Sequence, residues 1–271
     1  MHTWNDAVPD SLPPLTLAQK LRGGARLAVF ALLTGLCLVI FLAGRYGRAA
    51  FGRRVTFRFG AARLWARAGL WLTGLRLSIT GTPISCGALV ANHSSWLDIL
   101  ALRATGLIYF VSKAEVADWP GIGFLTRING TVFIERKRVA AKRQEDILLE
   151  RIAARQVLCF FPEATSTDGQ RVLPFKSSLF SAFFRDGHGE DVLIQPVSIR
   201  YHPPPDLPDS FYGWWGTMGF EAHLWQVFCR SRRARVNVGF HPPLRPRDLP
   251  DRKTLAERCR QVVAAGHAAQ G

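Results

Sequence analysis

Between Arg76 and Phe240, short β-rich runs alternate with segments of helical pattern, and this alternation restricts the chain to an α/β fold. The runs are Arg76 to Thr80, Ala88 to Ala91, Leu107 to Val111, Thr131 to Glu135, Val157 to Phe161, Leu193 to Arg200 and Arg235 to Phe240. Between them, Trp96 to Ala104 and Val139 to Arg155 read as helices, the second with charged residues around Ile147, Leu148 and Ile152. Thr254-Leu-Ala-Glu257 is a capping box opening a C-terminal helix that ends near Gly266. Proline-rich stretches at 203–208 and 242–250 are connectors. A chain of 271 residues accommodates one large domain and a short appendage, and no internal repeat divides the body.

The appendage is N-terminal. Leu27 to Gly44 is an uninterrupted apolar run, close to the ~17–20 residues needed to cross a bilayer. It begins too deep in the chain for an ordinary secretory signal. Lys20, Arg22 and Arg26 precede it, and Arg45, Arg48, Arg53 and Arg54 follow. The heavier C-terminal flank favours a body held in the cytoplasm. Arg45 to Arg67, with Phe51, Phe57, Phe59, Leu64 and Trp65, has the amphipathic character of a segment lying on a membrane surface. A buried core helix is the competing reading, and the number of spans stays open.

Chemistry concentrates in Asn92-His93-Ser94-Ser95-Trp96-Leu97-Asp98, where a short buried strand gives way to a helix. His93 then lies at the carboxyl edge of the sheet, where loops of open α/β folds converge on ligands. Two readings coexist. Ser95-Trp-Leu-Asp98 is a capping box, in which Asp98 satisfies free amides of the first helical turn. Alternatively, Asp98 orients His93, whose ordinary pKa of ~6.5 suits it to take a proton from an alcohol. A first-turn carboxylate can do both.

Other signals narrow the function by exclusion. The chain carries 35 basic against 20 acidic residues, which favours acidic partners. Scattered arginines without a zinc-finger, RNP or helix-turn-helix signature argue against nucleic acid; anionic lipid headgroups or an acidic carrier protein fit better. Cys37, Cys86, Cys159, Cys229 and Cys259 form no C-x2-C pair or disulfide framework, in keeping with a reducing compartment. The histidines lack metal-ligand spacing, so no metal is expected. There is neither a G-x-S-x-G elbow nor a phosphate-binding G-x4-G-K-[ST] loop. The aromatic segment Phe211 to Phe220, continuing to His223 and Trp225, reads equally as membrane interface, acyl-tunnel lining or core.

Four blocks in register resemble the lysophospholipid acyltransferase superfamily, which includes the bacterial 1-acylglycerol-3-phosphate acyltransferases. His93 to Asp98 matches its H-x4-D block, Gly130-Thr-Val-Phe-Ile-Glu-Arg136 the second, Phe161-Pro-Glu-Ala-Thr165 the third, and Val192-Leu-Ile-Gln-Pro-Val197 the fourth. The resemblance implies a single glycerolipid-acyltransferase-like α/β domain over 71–271, with a mixed sheet flanked by helices. Residues 1–70 would form a tail and a membrane-associated helical segment. It further implies His93 as general base, Asp98 as its orienting carboxylate, and an acceptor site formed by Lys113, Gly130, Arg136, Glu163 and Thr165. No resident cofactor is implied; an acyl thioester of acyl carrier protein or coenzyme A is the donor, with the carrier protein favoured. The expected location is the inner (cytoplasmic) membrane, with the catalytic domain on the cytoplasmic side.

One departure bears on the acceptor. Where many glycerophosphate-type members have Gly-Thr-Arg in the third block, this chain has Ala164-Thr165-Ser166, then Asp168. Losing a cation and gaining an acidic neighbour suits a zwitterionic acceptor, and the stretch from Phe161 to Phe180 is similar to bacterial lyso-ornithine lipid acyltransferases. Lysophosphatidic acid remains the alternative acceptor, with Lys113, Arg136 and Lys176 as its cations. An inactive membrane lipid-binding protein is the other alternative.

Overall fold

The computed structural model describes residues 4–51, 57–119, 121–134, 138–185 and 191–271, with the side chains of 45–51, 57–59 and 138–141 outside the description. In chain order the elements are α1 (Leu17–Phe51), α2 (Phe57–Leu72), β1 (Leu75–Thr80), β2 (Gly87–Ala91), α3 (Leu97–Thr105), β3 (Tyr109–Lys113), α4 (Ile122–Ile128), β4 (Val132–Ile134), α5 (Arg138–Ala153), β5 (Val157–Phe160), β6 (Ile194–His202), α6 (Phe220–Arg230), β7 (Ala234–Phe240) and α7 (Arg252–Ala269). Among the described residues the sheet has seven strands in the order β1-β7-β6-β2-β5-β3-β4. Strands β6 and β7 pair antiparallel and all other neighbours are parallel, so the sheet is mixed as expected.

The central strands explain themselves. Every residue of β2 is buried, as in a strand covered on both faces. Leu89 and Ala91 face a core shared with α2, α3 and α6, through Leu70, Leu97, Ala101 and Val227. Ala88 and Val90 face the opposite core, shared with α5, a 3₁₀ segment at Ser177–Phe184 and α7, through Leu148, Phe180 and Leu255. The two-residue strand period thus builds two cores from one sheet.

Local expectations shift in instructive ways. Strand β3 lies two residues later than the expected Leu107 to Val111: Leu107 is exposed, and pairing begins with Tyr109 against Leu158 of β5. The shift makes Lys113 a strand-terminal residue. Strand β4 ends at Ile134, and the expected Glu135 lies outside the described residues. Helix α7 is capped by Asp251, whose carboxylate accepts from the Thr254 amide at 2.7 Å; the expected cap at Thr254 is therefore one turn inside the helix. The helix also runs through Gly266 to Ala269, because that glycine serves close packing. A Cβ there would lie 2.3 Å from the His241 ring.

Helix α1 starts ten residues before the apolar run. Arg22 donates to the Cys229 carbonyl, and Arg26 to those of Phe228 and Ser231, satisfying carbonyls at the C-terminal end of α6. Phe30 stacks on Trp65 of α2, whose indole N–H donates to Thr34. Of the expected amphipathic stretch, residues 52–56 lie outside the description; within α2, Trp65 faces α1 whereas Leu64 and Trp71 are exposed. The division expected at residue 70 falls within α2.

Candidate active site

Three strands converge on the loop that follows β2. The Asn92 side chain accepts from the Ile199 amide at 2.8 Å and donates to the Ile199 carbonyl at 2.9 Å, stitching the loop to β6. The His93 amide donates to Glu163 Oε1 at 2.8 Å, and the His93 carbonyl accepts from the Thr167 amide at 3.0 Å. Glu163 and Thr167 belong to the segment leaving β5, the other neighbour of β2. The histidine is therefore fixed by its backbone before its side chain acts.

His93 Nδ1 lies 2.7 Å from Asp98 Oδ2. An ionised carboxylate only accepts, so this contact places the neutral ring's proton on Nδ1 and leaves Nε2 as the basic nitrogen. The same Oδ2 accepts from the Ser94 and Ser95 amides at 2.9 and 3.0 Å. This is the reciprocal half of the capping box, while Ser95 Oγ makes only a long 3.4 Å contact to the Leu97 amide. The capping and orienting roles thus reside in one carboxylate. Oδ1 accepts from the Tyr201 hydroxyl at 2.7 Å, and Asp98 is completely buried. The His93 ring stacks on Phe161, with centroids 4.2 Å apart.

His93 opens onto a cavity of about 360 Å³. Lys113, Glu115, Thr165 and Ser166 contribute polar groups to its wall, and Trp119, Trp214 and Trp215 contribute much of the apolar wall. The aromatic segment divides its duties: Phe211 and Tyr212 are buried in the core, while Trp214 and Trp215 line the cavity. The chain's start reaches the same place. The Trp4 amide donates to Thr165 Oγ1 at 3.3 Å, and the Trp215 indole donates to the Ala7 carbonyl at 2.8 Å. Nothing in the sequence pattern marked that first segment as part of the site.

Lys113 and Thr165 lie in the cavity wall with His93, but other expected acceptor-binding residues are placed differently. Glu163 is nearly fully buried, with Oε1 on the His93 amide and Oε2 on the Leu173 amide at 3.1 Å. It holds the backbone of the loop after β2, whereas the expectation placed it on the acceptor's head. Burial pushes its pKa up to about 8, against the opposing pull of those two amides. Gly130 forms the positive-φ turn after α4, with its carbonyl held by Arg151 at 2.6 Å; a Cβ there would meet Arg151 and the Tyr109 ring. The cavity wall does not include it. Arg136 lies outside the described residues.

The departures in the third block also acquire positions. Ala164 has φ +59°, a conformation that favours glycine, so the turn is retained with a residue that strains it. Ser166 lines the cavity, and its hydroxyl donates to the Trp214 carbonyl. Asp168, expected to face the acceptor, is buried and engaged with Arg171 through both oxygens, outside the cavity wall. Lys176 is exposed and likewise outside it. No group of metal-ligating side chains occurs among the described residues.

A family model described as Acyltransferase matches residues 85–200. The lyso-ornithine lipid O-acyltransferase of Rhodobacter capsulatus is 45% identical over 267 residues, which cover 96% of this chain and 95% of that protein. The 1-acyl-sn-glycerol-3-phosphate acyltransferase of Neisseria gonorrhoeae is 29% identical over 181 residues, covering 66% and 69%. Among solved structures, the 1-acyl-sn-glycerophosphate (LPA) acyltransferase PlsC of Thermotoga maritima matches with a TM-score of 0.62 at 22% identity, covering 94% of this chain and 95% of that one. That last likeness is one of fold.

Proposed function

The chain belongs to the acyltransferase family, and from that premise we propose that it moves a fatty acyl group from an acyl thioester to the hydroxyl of lyso-ornithine lipid, producing ornithine lipid. The observation that carries the chemistry is the His93 ring, tied through Nδ1 to Asp98 and lining the cavity. Nε2 takes the acceptor hydroxyl's proton as its oxygen attacks the thioester carbonyl. The tetrahedral oxyanion needs preorganised donors, a role we assign to the backbone amides of Thr165 and Ser166 in the cavity wall. Collapse expels the thiolate, which receives the proton from the imidazolium. No covalent enzyme intermediate and no metal enters this scheme.

The acceptor assignment rests on the charged lining. N-acylated ornithine presents a carboxylate and an ammonium, and among the described residues the cavity wall offers a side chain of each complementary sign, Lys113 and Glu115. Ser166 occupies the position at which many glycerophosphate-type members carry an arginine. Lysophosphatidic acid is the second reading, favoured by Lys113 in the wall. Acyl carrier protein is the preferred donor because the chain's formal charge of +15 suits an acidic partner.

Residues Leu17–Gly44 form a 28-residue helical stretch apolar enough for a membrane, with only 11% of its most apolar window buried. Leu21, Val29, Leu32, Leu36 and Val39 are exposed, while Arg22, Arg26 and Phe30 dock the same helix on the body. We read this as attachment to the cytoplasmic face of the inner membrane by an exposed apolar face.

The test is mass spectrometry of products from membranes containing the protein or its His93→Ala variant. They are supplied with labelled acyl carrier protein or acyl coenzyme A, and separately with lyso-ornithine lipid or lysophosphatidic acid. Diacylated ornithine lipid that disappears in the variant is the expected result; exclusive phosphatidic acid formation would reassign the acceptor. Absence of product with every combination would reject the acyltransferase assignment.

A further inference from the structure

We propose that Tyr201 is a positioning residue for the His93–Asp98 pair: its buried hydroxyl takes the second oxygen of Asp98 and so fixes the carboxylate, and through it the imidazole. The inference rests on the reading of His93 as general base. Asp98 Oδ2 already receives His93 Nδ1 and two backbone amides, whereas Oδ1 has Tyr201 at 2.7 Å as its hydrogen-bond partner among the described residues. In a fully buried carboxylate, an oxygen left without a donor is costly, and a partial rotation that lets Oδ1 share the donors of Oδ2 becomes the available relief. Such a rotation would carry the His93 partner with it.

Tyr201 is well placed to prevent this. It lies near the end of β6, where Tyr201 pairs with Val236 of β7, and two residues before it Ile199 is clamped by Asn92. One strand therefore holds both the backbone of the catalytic loop and the carboxylate behind it. The Tyr201 ring packs on Tyr212 at 5.5 Å between centroids and is itself buried. Burial, together with the Asp98 charge, pushes the phenol well above its ordinary range, so it remains a donor throughout the working pH range.

The titratable groups around the pair come from several elements. His93 and Asp98 belong to the catalytic loop and α3, Cys159 to β5, Glu163 to the segment after β5, and Tyr212 to the aromatic segment. Burial raises the Cys159 thiol and the Tyr212 phenol far above neutrality, and Glu163 stands at about 8. Tyr201→Phe keeps the ring and removes the donor from Asp98. A carboxylate that has lost a donor is more basic and holds the imidazolium more tightly, so the acid limb of the kcat profile should move to higher pH.

The experiment compares pH profiles of kcat and KM for the 271-residue chain, its Tyr201→Phe and Tyr212→Phe variants, and His93→Ala. Tyr212 donates to or accepts from Ser231 and carries the same burial without touching the pair. The expected result for Tyr201→Phe is a kcat lowered about tenfold, KM within about twofold, and the acid limb displaced upward by about half a pH unit. Tyr212→Phe should leave the limb in place. An unmoved limb and undiminished kcat in Tyr201→Phe, with His93→Ala inactive, would overturn the positioning role alone, as would an equal displacement in both tyrosine variants. Full activity of His93→Ala would instead overturn the general-base reading beneath it.

Discussion

Replacing Asp98 with asparagine removes one charge from the site while leaving its hydrogen-bond frame nearly intact, so the loss can be worked from geometry. The asparagine oxygen can take the place of Oδ2 and accept from His93 Nδ1 and the Ser94 and Ser95 amides. Its amide group can then donate to the Tyr201 oxygen, which turns from donor to acceptor. What disappears is the attraction between carboxylate and imidazolium. With charge centres about 4 Å apart and an effective dielectric constant near 20, that attraction is about 4 kcal/mol. Because it is present only once the ring is protonated, it falls on the transition state, and about 4 kcal/mol corresponds to about three decades in rate. If the asparagine enters reversed, its amide faces Nδ1, favours the wrong tautomer and lowers the rate further. Steady-state acyl transfer from labelled acyl carrier protein should therefore show kcat reduced about a thousandfold, with KM for both substrates changed by no more than a few-fold. A kcat within about tenfold of the parent would refute the argument that the Asp98 charge supports proton transfer.

Three further outcomes follow from individual residues. Ala164→Gly, at φ +59°, should raise stability by about 1 kcal/mol; an unchanged or lower midpoint in denaturant would show that the turn carries no strain. Glu163 is protonated more readily in the folded chain, so its contribution to stability is complete below the ordinary carboxylate range and is lost as pH rises through about 8. Thermal melts across that window should therefore decline more steeply for the parent than for Glu163→Gln, and parallel slopes would assign the titration elsewhere. Ser166→Arg puts a cation into the cavity wall, and the product ratio should move toward phosphatidic acid; an unaltered ratio would remove Ser166 from acceptor selection.

The sequence made β2 and β5 readable because strands covered on both faces leave continuous apolar runs, and β6 and β7 readable because apolar residues recur there at two-residue spacing. It also exposed the His93–Asp98 pair, since the two residues lie five positions apart across one loop-to-helix junction whose spacing sets their geometry locally. Misplaced features share a different cause. The start of β3 depends on pairing with β5, some fifty residues away, and the cap of α7 depends on which of two capping residues three positions apart, Asp251 or Thr254, begins the helix. Glu163 shows the limit most clearly. Its residue type and motif are equally compatible with binding an acceptor or holding backbone amides, and only the approach of the β5 segment to the β2 loop distinguishes them.

The same distinction applies to Tyr201, whose role is not legible in the sequence. Along β6, Val197, Ile199 and Tyr201 face one core at two-residue spacing, so the tyrosine reads as another large apolar residue completing the alternation. A buried phenol, however, needs a partner. Its partner is separated by 103 positions in the chain and becomes available only because β6 lies directly beside β2. The order of strands in the sheet therefore does more than collect a core: it brings the donor on β6 and the amide acceptor beyond β5 to opposite sides of one five-residue catalytic spacing. A sequence motif can state which residues react. Holding them still is a property of neighbouring strands, and the residues that do so carry no signature of their own beyond a polar atom on an apolar face.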